Sequence, residues 1–414
     1  MEAYLENIED RFRHIYIPGK SGSGKSSLLS LIALQDIEQG FGVAVLDPKG
    51  DTTTRILNWI PDHRKDDVFY VSGETPVPID LLSYRSPDER SNIAQEIMVI
   101  FERMMTLGDR MGPVLEYAIN TVMQMEERCF LDIYHFLEHD DDTYDLALKQ
   151  AAPTLQRFWS TRYQESYFKN AELPLTTRMT SFILIPTLEK LLDNRKAPLN
   201  IPDIVESGKI LLVNLHSLGS VAGFITGCLI TSQIQQTIFR RQALPKYERR
   251  PYFLFADEFQ EFKNQAFNKI IQMSRGFHLG LTLANQHPKQ ITELWDDIKG
   301  CVSSYFMFQM DESHAHLLRS QIRPYAPEDL RDVPVGTCLY HPLTGKSKFI
   351  DVAFVPEENP DGLAGYVKNR MMGLIARCPP TSRRKNEKAV ESKRDGGTDF
   401  TTNEGKTRGP RRPR

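Results

Sequence analysis

Gly19-Lys20-Ser21-Gly22-Ser23-Gly24-Lys25-Ser26 is a complete Walker A phosphate-binding loop, and its surroundings suit it. Ahead of it, His14-Ile15-Tyr16-Ile17 is a short apolar run that predicts a strand. Behind it, Leu29, Ile32, Ala33 and Ile37 recur at helical spacing until Gly40 stops them. In a strand–loop–helix unit of this kind the glycines let backbone N–H groups close around phosphate oxygens, and the helix N-terminus adds a partial positive charge. Gly19, Lys20, Ser21, Gly22, Ser23, Gly24, Lys25, Ser26 and Ser27 are therefore the expected nucleotide-binding residues. Lys25 would reach the β and γ phosphates and Ser26 would hold Mg²⁺.

Outward from the loop, further short apolar runs rich in β-branched and aromatic residues predict strands. They are Gly42 to Asp47, Asp67 to Ser72, Ile210 to Leu215, Tyr252 to Asp257, Gly280 to Gln286, Val302 to Met310 and Gly336 to His341. Being apolar throughout and separated by helical stretches, they read as buried parallel strands, which makes the fold class α/β with a mainly parallel sheet. Ser86-Pro87-Asp88-Glu89 is a capping box with proline in the first turn, opening a helix whose apolar face carries Ile93, Ile97, Ile100, Phe101 and Met104. Between about Thr106 and Lys196 helical periodicity replaces the strands, as in Val114, Ala118, Val122 and later Phe182, Ile185, Leu188, Leu192. The expected organisation is residues 1–107 and 198–376 as two parts of one nucleotide-binding domain, 108–197 as an inserted all-helical domain, and 377–414 as a disordered basic tail.

A Walker A loop alone predicts nucleotide binding; hydrolysis needs carboxylates. Tyr252-Phe253-Leu254-Phe255-Ala256-Asp257-Glu258 supplies two at the end of a buried strand, Asp257 for the metal and Glu258 to polarise the attacking water. Gly280-Leu281-Thr282-Leu283-Ala284-Asn285-Gln286 ends polar in the same manner, with Gln286 placed to sense the γ-phosphate and Asn285 as its rival. Arg275 closes the helix that begins near Ala266, as a C-terminal cation or as an arginine finger for a neighbouring subunit. Asp47-Pro48-Lys49-Gly50-Asp51 ends another strand on the nucleotide side, as a turn with or without a chemical role. Asp140-Asp141-Asp142 reads as a solvated loop, and Arg240-Arg241 through Arg249-Arg250 as a solvated linker.

Composition limits the alternatives. At 414 residues, 40% hydrophobic and 25% charged, the chain is an ordinary globular one long enough for two cores. No apolar run reaches spanning length and Met1 to Asp10 lacks a signal peptide pattern, so a cytoplasmic protein is expected. Five cysteines without paired spacing read as reduced and structural. From Thr381 onward eleven Lys/Arg face five Asp/Glu, a net +6, which against −3 overall leaves −9 on residues 1–380. A broad basic face binding duplex DNA as a monomer is therefore not supported, and nucleic-acid contact falls to local loops or to assembly.

In this order the pieces resemble the conjugative coupling ATPases of type IV secretion, the TraG/TraD-type proteins of the HerA/FtsK superfamily. The resemblance covers most of residues 11 to 345. It rests on Asp10-Arg11-Phe12-Arg13-His14-Ile15-Tyr16 before the Walker A loop and on Val45-Leu46-Asp47-Pro48-Lys49-Gly50-Asp51. It continues in Gly208-Lys209-Ile210-Leu211-Leu212-Val213-Asn214-Leu215, Ala256-Asp257-Glu258-Phe259-Gln260 and Leu281-Thr282-Leu283-Ala284-Asn285-Gln286. The resemblance implies a RecA-like motor domain carrying an all-helical domain, ATP and Mg²⁺ as cofactors, and a homo-hexamer pumping a single DNA strand bound to a relaxase. It also implies that Arg275 is the trans-acting arginine and Gln286 the sensor, which join Lys25 and Glu258, read from the motifs themselves, as the catalytic residues. Relatives of this kind begin with transmembrane helices, whereas here the loop starts at residue 19. The expectation is a motor recruited to the membrane through a separate anchor subunit or acting on DNA in the cytoplasm. Two other readings stay open, an ATPase that moves or remodels secreted proteins and a nucleotide-gated platform that recruits a relaxase.

Overall fold

The computed structural model describes residues 8–168, 170–192 and 198–377, the side chains of 141 and 182 excepted. The expected tail lies outside these residues, apart from Arg377. The strands in chain order are β1 (Ile15–Pro18), β2 (Gly42–Asp47), β3 (Val68–Val71), β4 (Ile79–Asp80), β5 (Leu199–Asn200) and β6 (Ile210–Asn214). After them come β7 (Tyr252–Ala256), β8 (Leu279–Asn285), β9 (Ser304–Met307), β10 (Thr337–His341) and β11 (Lys348–Asp351). Nine of them form one sheet in the order β11-β10-β9-β1-β8-β7-β2-β6-β3.

Every pairing from β9 across to β3 is parallel. Their side chains are buried on both faces, since β1, β2, β7, β8 and β9 have no exposed position, which is why these runs are apolar without alternation. Gly336 to His341 departs from the sequence reading. It is a strand, β10, but runs antiparallel to both β9 and β11. β11 itself, with Lys348 and Asp351 exposed, closes that edge with charged residues.

The parallel registers line up the carboxyl ends of the central strands. Pro18 lies beside Asn285, Leu46 beside Ala256, and Asp47 beside Asn214. Whatever follows β1, β2, β7 and β8 therefore meets along one edge, the place where open α/β sheets bind ligands. The helix Lys25–Glu38 leaves the Walker loop and is anchored at its far end by a buried bidentate pair, Arg11 to Asp36 at 2.6 and 2.7 Å.

Between β4 and β5 the described residues are helical, from Pro87–Met104 to Pro186–Leu192. β4 and β5 pair with each other, Ile79 beside Leu199 and Asp80 beside Asn200, so the start and finish of this excursion are held together. Its interior packs Val114, Leu115, Ile119, Phe136, Phe158 and Trp159, with the Trp159 indole donating to Thr121 Oγ1 at 2.9 Å. Ser86 caps its first helix by accepting from Glu89 N at 3.2 Å. The Glu89 carboxylate turns elsewhere, to Arg85 N and to both arms of Arg240.

That last contact narrows the reading of Arg240 to Arg250 as a solvated linker: Gln242 to Glu248 and Arg250 are exposed, but the arginines at its ends are bound. Arg240 is bound to Glu89, and Arg241 is 1% exposed, donating to Glu206 and to the carbonyls of Arg250 and Phe277. Arg249 and Arg250 donate to backbone carbonyls of Leu244, Gly276 and Ser207. These guanidiniums tie the helix Ser220–Arg240 to the strand that follows it. Asp140 likewise is the N-cap residue of the helix Asp141–Gln150 rather than part of a free loop. No helix among the described residues is long and apolar enough to cross a membrane.

Candidate active site

The Walker loop leaves β1 and turns into its helix at Gly24, whose φ of 116° is a left-handed backbone that a side chain would strain. A Cβ on Gly24 would also stand 3.0 Å from the Phe308 ring, and one on Gly19 2.5 Å from Phe308 Cβ, so the loop lies close against the end of β9. Lys25 is buried and donates to the loop's own carbonyls, Gly19 O and Lys20 O at 2.9 Å for the latter. Burial lowers its pKa, with Lys49 adding to the drop and Glu258 and Asp257 opposing it.

Next along the edge, Asp257 and Glu258 leave β7 with 1% and 2% of their surface exposed. Asp257 Oδ2 accepts from Ser26 Oγ at 3.2 Å and from Thr52 Oγ1 at 3.1 Å. The Walker serine and the strand-end aspartate, predicted separately as metal ligands, thus point at one spot 231 residues apart in sequence. Burial pushes the Asp257 pKa up, helped by the charges of Asp47 and Glu258 and opposed by Lys49 and Lys25. A divalent cation is what would relieve such a carboxylate, and an oxygen-only donor set suits Mg²⁺.

Glu258 has a left-handed backbone, φ 39° and ψ 46°, rare for a residue with a side chain and typical of strained functional turns. Its Oε1 accepts from Lys49 Nζ and from Gln286 Nε2 at 3.1 Å, and its Oε2 from Gln260 Nε2 at 3.0 Å. Burial works to raise its pKa, but the hydrogen bonds from Lys49 and Gln260 and the Lys49 charge outweigh it and hold the carboxyl below its usual range. Glu258 is thus an ionised acceptor at neutral pH.

The pair Asn285 and Gln286 is separated by its contacts. Asn285 is fully buried, accepting from the Tyr16 hydroxyl at 2.7 Å and donating to His287 O, which locks β1 to β8. Gln286 faces Glu258. Arg275 is not brought to this site. It is exposed in the 3-10 turn Ser274–Phe277 before β8, at the opposite edge of the sheet. Seven residues of strand separate that turn from Gln286, roughly 20 Å.

Sequence reasoning left Lys49 and Thr52 without a role, and both reach the carboxylates. Their turn is held by Asp47, which accepts from Lys49 N at 2.9 Å and Thr53 N at 3.0 Å. The signal was the Asp47–Asp51 turn at a strand end on the nucleotide side. A cavity of about 500 Å³ opens beside Glu258, lined among others by Lys49, Leu215, Phe224, Phe262 and Gln286. It does not include the Walker loop.

A Walker loop on a mainly parallel sheet, with a serine, an aspartate and a glutamate converging at its edge, defines a P-loop ATPase. A family model described as "Helicase HerA, central domain" matches residues 2–214. The chain belongs to that family. Among solved structures it is similar to the plasmid coupling protein TrwB in complex with ADP and Mg²⁺, with 12% identity, 86% of this chain and 89% of that chain covered, and a TM-score of 0.60. It is also similar to VirB4 of Thermoanaerobacter pseudethanolicus, with 16% identity, 85% and 93% coverage and a TM-score of 0.53. These likenesses establish the RecA-like P-loop fold. No curated protein matches the chain.

Proposed function

We propose that the chain is an ATP-driven DNA translocase of the coupling-protein kind, working as a ring with one ATP site at each subunit interface. The observation that carries the reading is the division of the site across the sheet. Ser26, Lys25, Asp257, Glu258 and Gln286 gather at one edge, while Arg275 is exposed at the other. An arginine so placed serves a neighbour's nucleotide and not its own, which makes assembly part of the chemistry.

In this reading Gly19 to Ser27 hold the phosphates of ATP through backbone N–H groups, and Lys25 moves from the carbonyls of Gly19 and Lys20 to the β and γ phosphates. Ser26 and Asp257 hold Mg²⁺, which when bound offsets charge on the β and γ oxygens. Glu258 accepts a proton from the water that attacks the γ-phosphorus as the bond to the ADP oxygen breaks. Gln286 and Lys49, both on Glu258 Oε1, report the state of that carboxylate to β8 and β2. Residues 108–197, read from the sequence as an all-helical domain, meet the substrate or a relaxase. The structural likeness to TrwB, a plasmid coupling protein, supports a place in conjugative transfer or mobilisation.

The net −9 on residues 1–380 supports a second reading, an ATPase acting on secreted proteins, because a monomer so charged repels a polyanion. The ATPase rate measured without DNA, with single-stranded DNA and with duplex separates the two. Stimulation by a single strand supports translocation; an unchanged rate supports the second reading.

A further inference from the structure

The turn that leaves β2 lies against the two carboxylates that leave β7. β2 and β7 are paired in parallel, Leu46 beside Ala256, so the residues after each emerge side by side. Lys49 and Thr52, on the same turn, each donate to one of the two carboxylates: Lys49 Nζ to Glu258 Oε1, and Thr52 Oγ1 to Asp257 Oδ2 at 3.1 Å. The backbone that carries Lys49 is fixed. Asp47 is fully buried and accepts from Lys49 N at 2.9 Å and from Thr53 N at 3.0 Å. Gly50 has φ 88° and packs on the end of β6, where a Cβ would stand 2.8 Å from Asn214 Nδ2.

An ionised carboxylate offers about four acceptor sites, two on each oxygen. On Glu258, Lys49 and Gln286 take both sites of Oε1, and Gln260 takes one of Oε2. Among the described residues these donors leave one site, on Oε2. The two glutamines donate through neutral amides, whereas Lys49 forms a charge-assisted bond, the stronger kind. The Glu258 backbone is left-handed, outside the regular course of β7, so the direction of its carboxylate depends on these donors and on Lys49 above all.

We propose that Lys49 is a positioning residue for ATP hydrolysis: with Gln286 it fills Oε1 of Glu258 and so makes Oε2 the oxygen that takes the proton of the attacking water. This rests on the reading of Glu258 as the base. The water proton passes to Oε2, the water oxygen bonds to the γ-phosphorus, and the electron pair of the broken bond leaves with ADP. Lys49 touches neither the water nor the nucleotide and acts through the carboxylate. Without it Oε1 has an open site and the carboxylate is free to turn. Water is then held in more than one orientation, and less of it is aligned with the γ-phosphorus.

Phosphate release and calorimetric ATP affinity of the full chain, measured side by side, test this. Lys49→Met keeps the unbranched stem and removes the donor. Its kcat should fall roughly 10²-fold, the cost of misplacing a reacting group by about 1 Å, while ATP affinity stays at the wild-type value. Lys49→Arg, which restores a charged donor, should recover part of the rate. In a Glu258→Gln background Lys49→Met should cost nothing more, because residues that act as a unit are not additive. An unchanged kcat in Lys49→Met overturns the proposal. So does an equal fold-loss in both backgrounds, which would have Lys49 acting on the water or the phosphate directly, and so does a tenfold loss of ATP affinity, which would make Lys49 a nucleotide ligand. A wild-type rate in Glu258→Gln would instead sink the reading of Glu258 as the base, an outcome distinct from a loss in Glu258→Gln with none in Lys49→Met, which overturns the role of Lys49 alone.

Discussion

His14 precedes β1 and provides a pH-dependent element of stability whose size can be worked out. It is 1% exposed, its Nε2 lies 3.2 Å from Ile271 O, and its Nδ1 accepts from Leu281 N at 3.2 Å. The neutral tautomer with hydrogen on Nε2 satisfies both partners. An imidazolium would set a second N–H against that of Leu281. Burial lowers the His14 pKa from 6.5 to about 4, against the opposing pull of the Ile271 and Ile270 carbonyls. Between those values the unfolded chain binds the proton and the folded one does not, so stability rises with pH. The contribution is complete above pH 6.5 and falls as the pH drops towards 4, by about 3 kcal/mol in all. The chosen variant is His14→Asn, since asparagine tolerates the left-handed backbone, φ 66°, and its amide oxygen can replace Nδ1 as acceptor. Urea unfolding of both proteins from pH 7.5 to 4 is the assay. The variant loses packing at every pH, but its deficit against wild type should narrow by about 3 kcal/mol as the pH falls, while carboxylates titrating in both proteins cancel. Parallel curves would show that His14 is not held neutral and refute the reasoning.

Removing Arg11 alone leaves Asp36 buried without its partner, so Arg11→Ala should cost about 3–5 kcal/mol in a denaturant titration, and a joint change to Met and Leu should recover most of it. Glu258→Gln should keep nucleotide binding and lower the hydrolysis rate by about 10²–10⁴, read as phosphate release. Arg275→Ala should also bind ATP without hydrolysing it, and mixing it with Glu258→Gln should restore some activity at interfaces that pair an intact arginine with an intact glutamate. Absence of rescue would count against an arginine acting in trans.

The parts of the fold visible in the sequence were those where burial is complete and local. β2, β7 and β8 are buried at every position because both faces are covered, and a polar residue ends or directly follows each, Asp47, Asp257 and Asn285, which the parallel register brings to one edge. β11 was missed because its Lys348-Phe349-Ile350-Asp351 is largely exposed at the sheet margin and has no such signature. Lys49 was read as a turn residue because its partner Glu258 lies 209 positions away, beyond any local pattern. Arg240 and Arg241 looked solvated for the same reason, their carboxylates being Glu89 and Glu206 on other elements. Asn285 and Gln286 could not be told apart by chemistry, since both are amides. Only the packing of β8 on Tyr16 turns one inward and leaves the other facing Glu258.

The central claim is that nucleotide hydrolysis is tied to a DNA strand inside a ring. The most direct test is the ATPase rate with single-stranded, duplex and no DNA, with oligomer mass recorded under the same conditions. The account predicts a rate raised by single-stranded DNA in step with formation of a closed assembly, and lost in Lys25→Ala. A monomer whose ATPase rate is the same with and without DNA would contradict it.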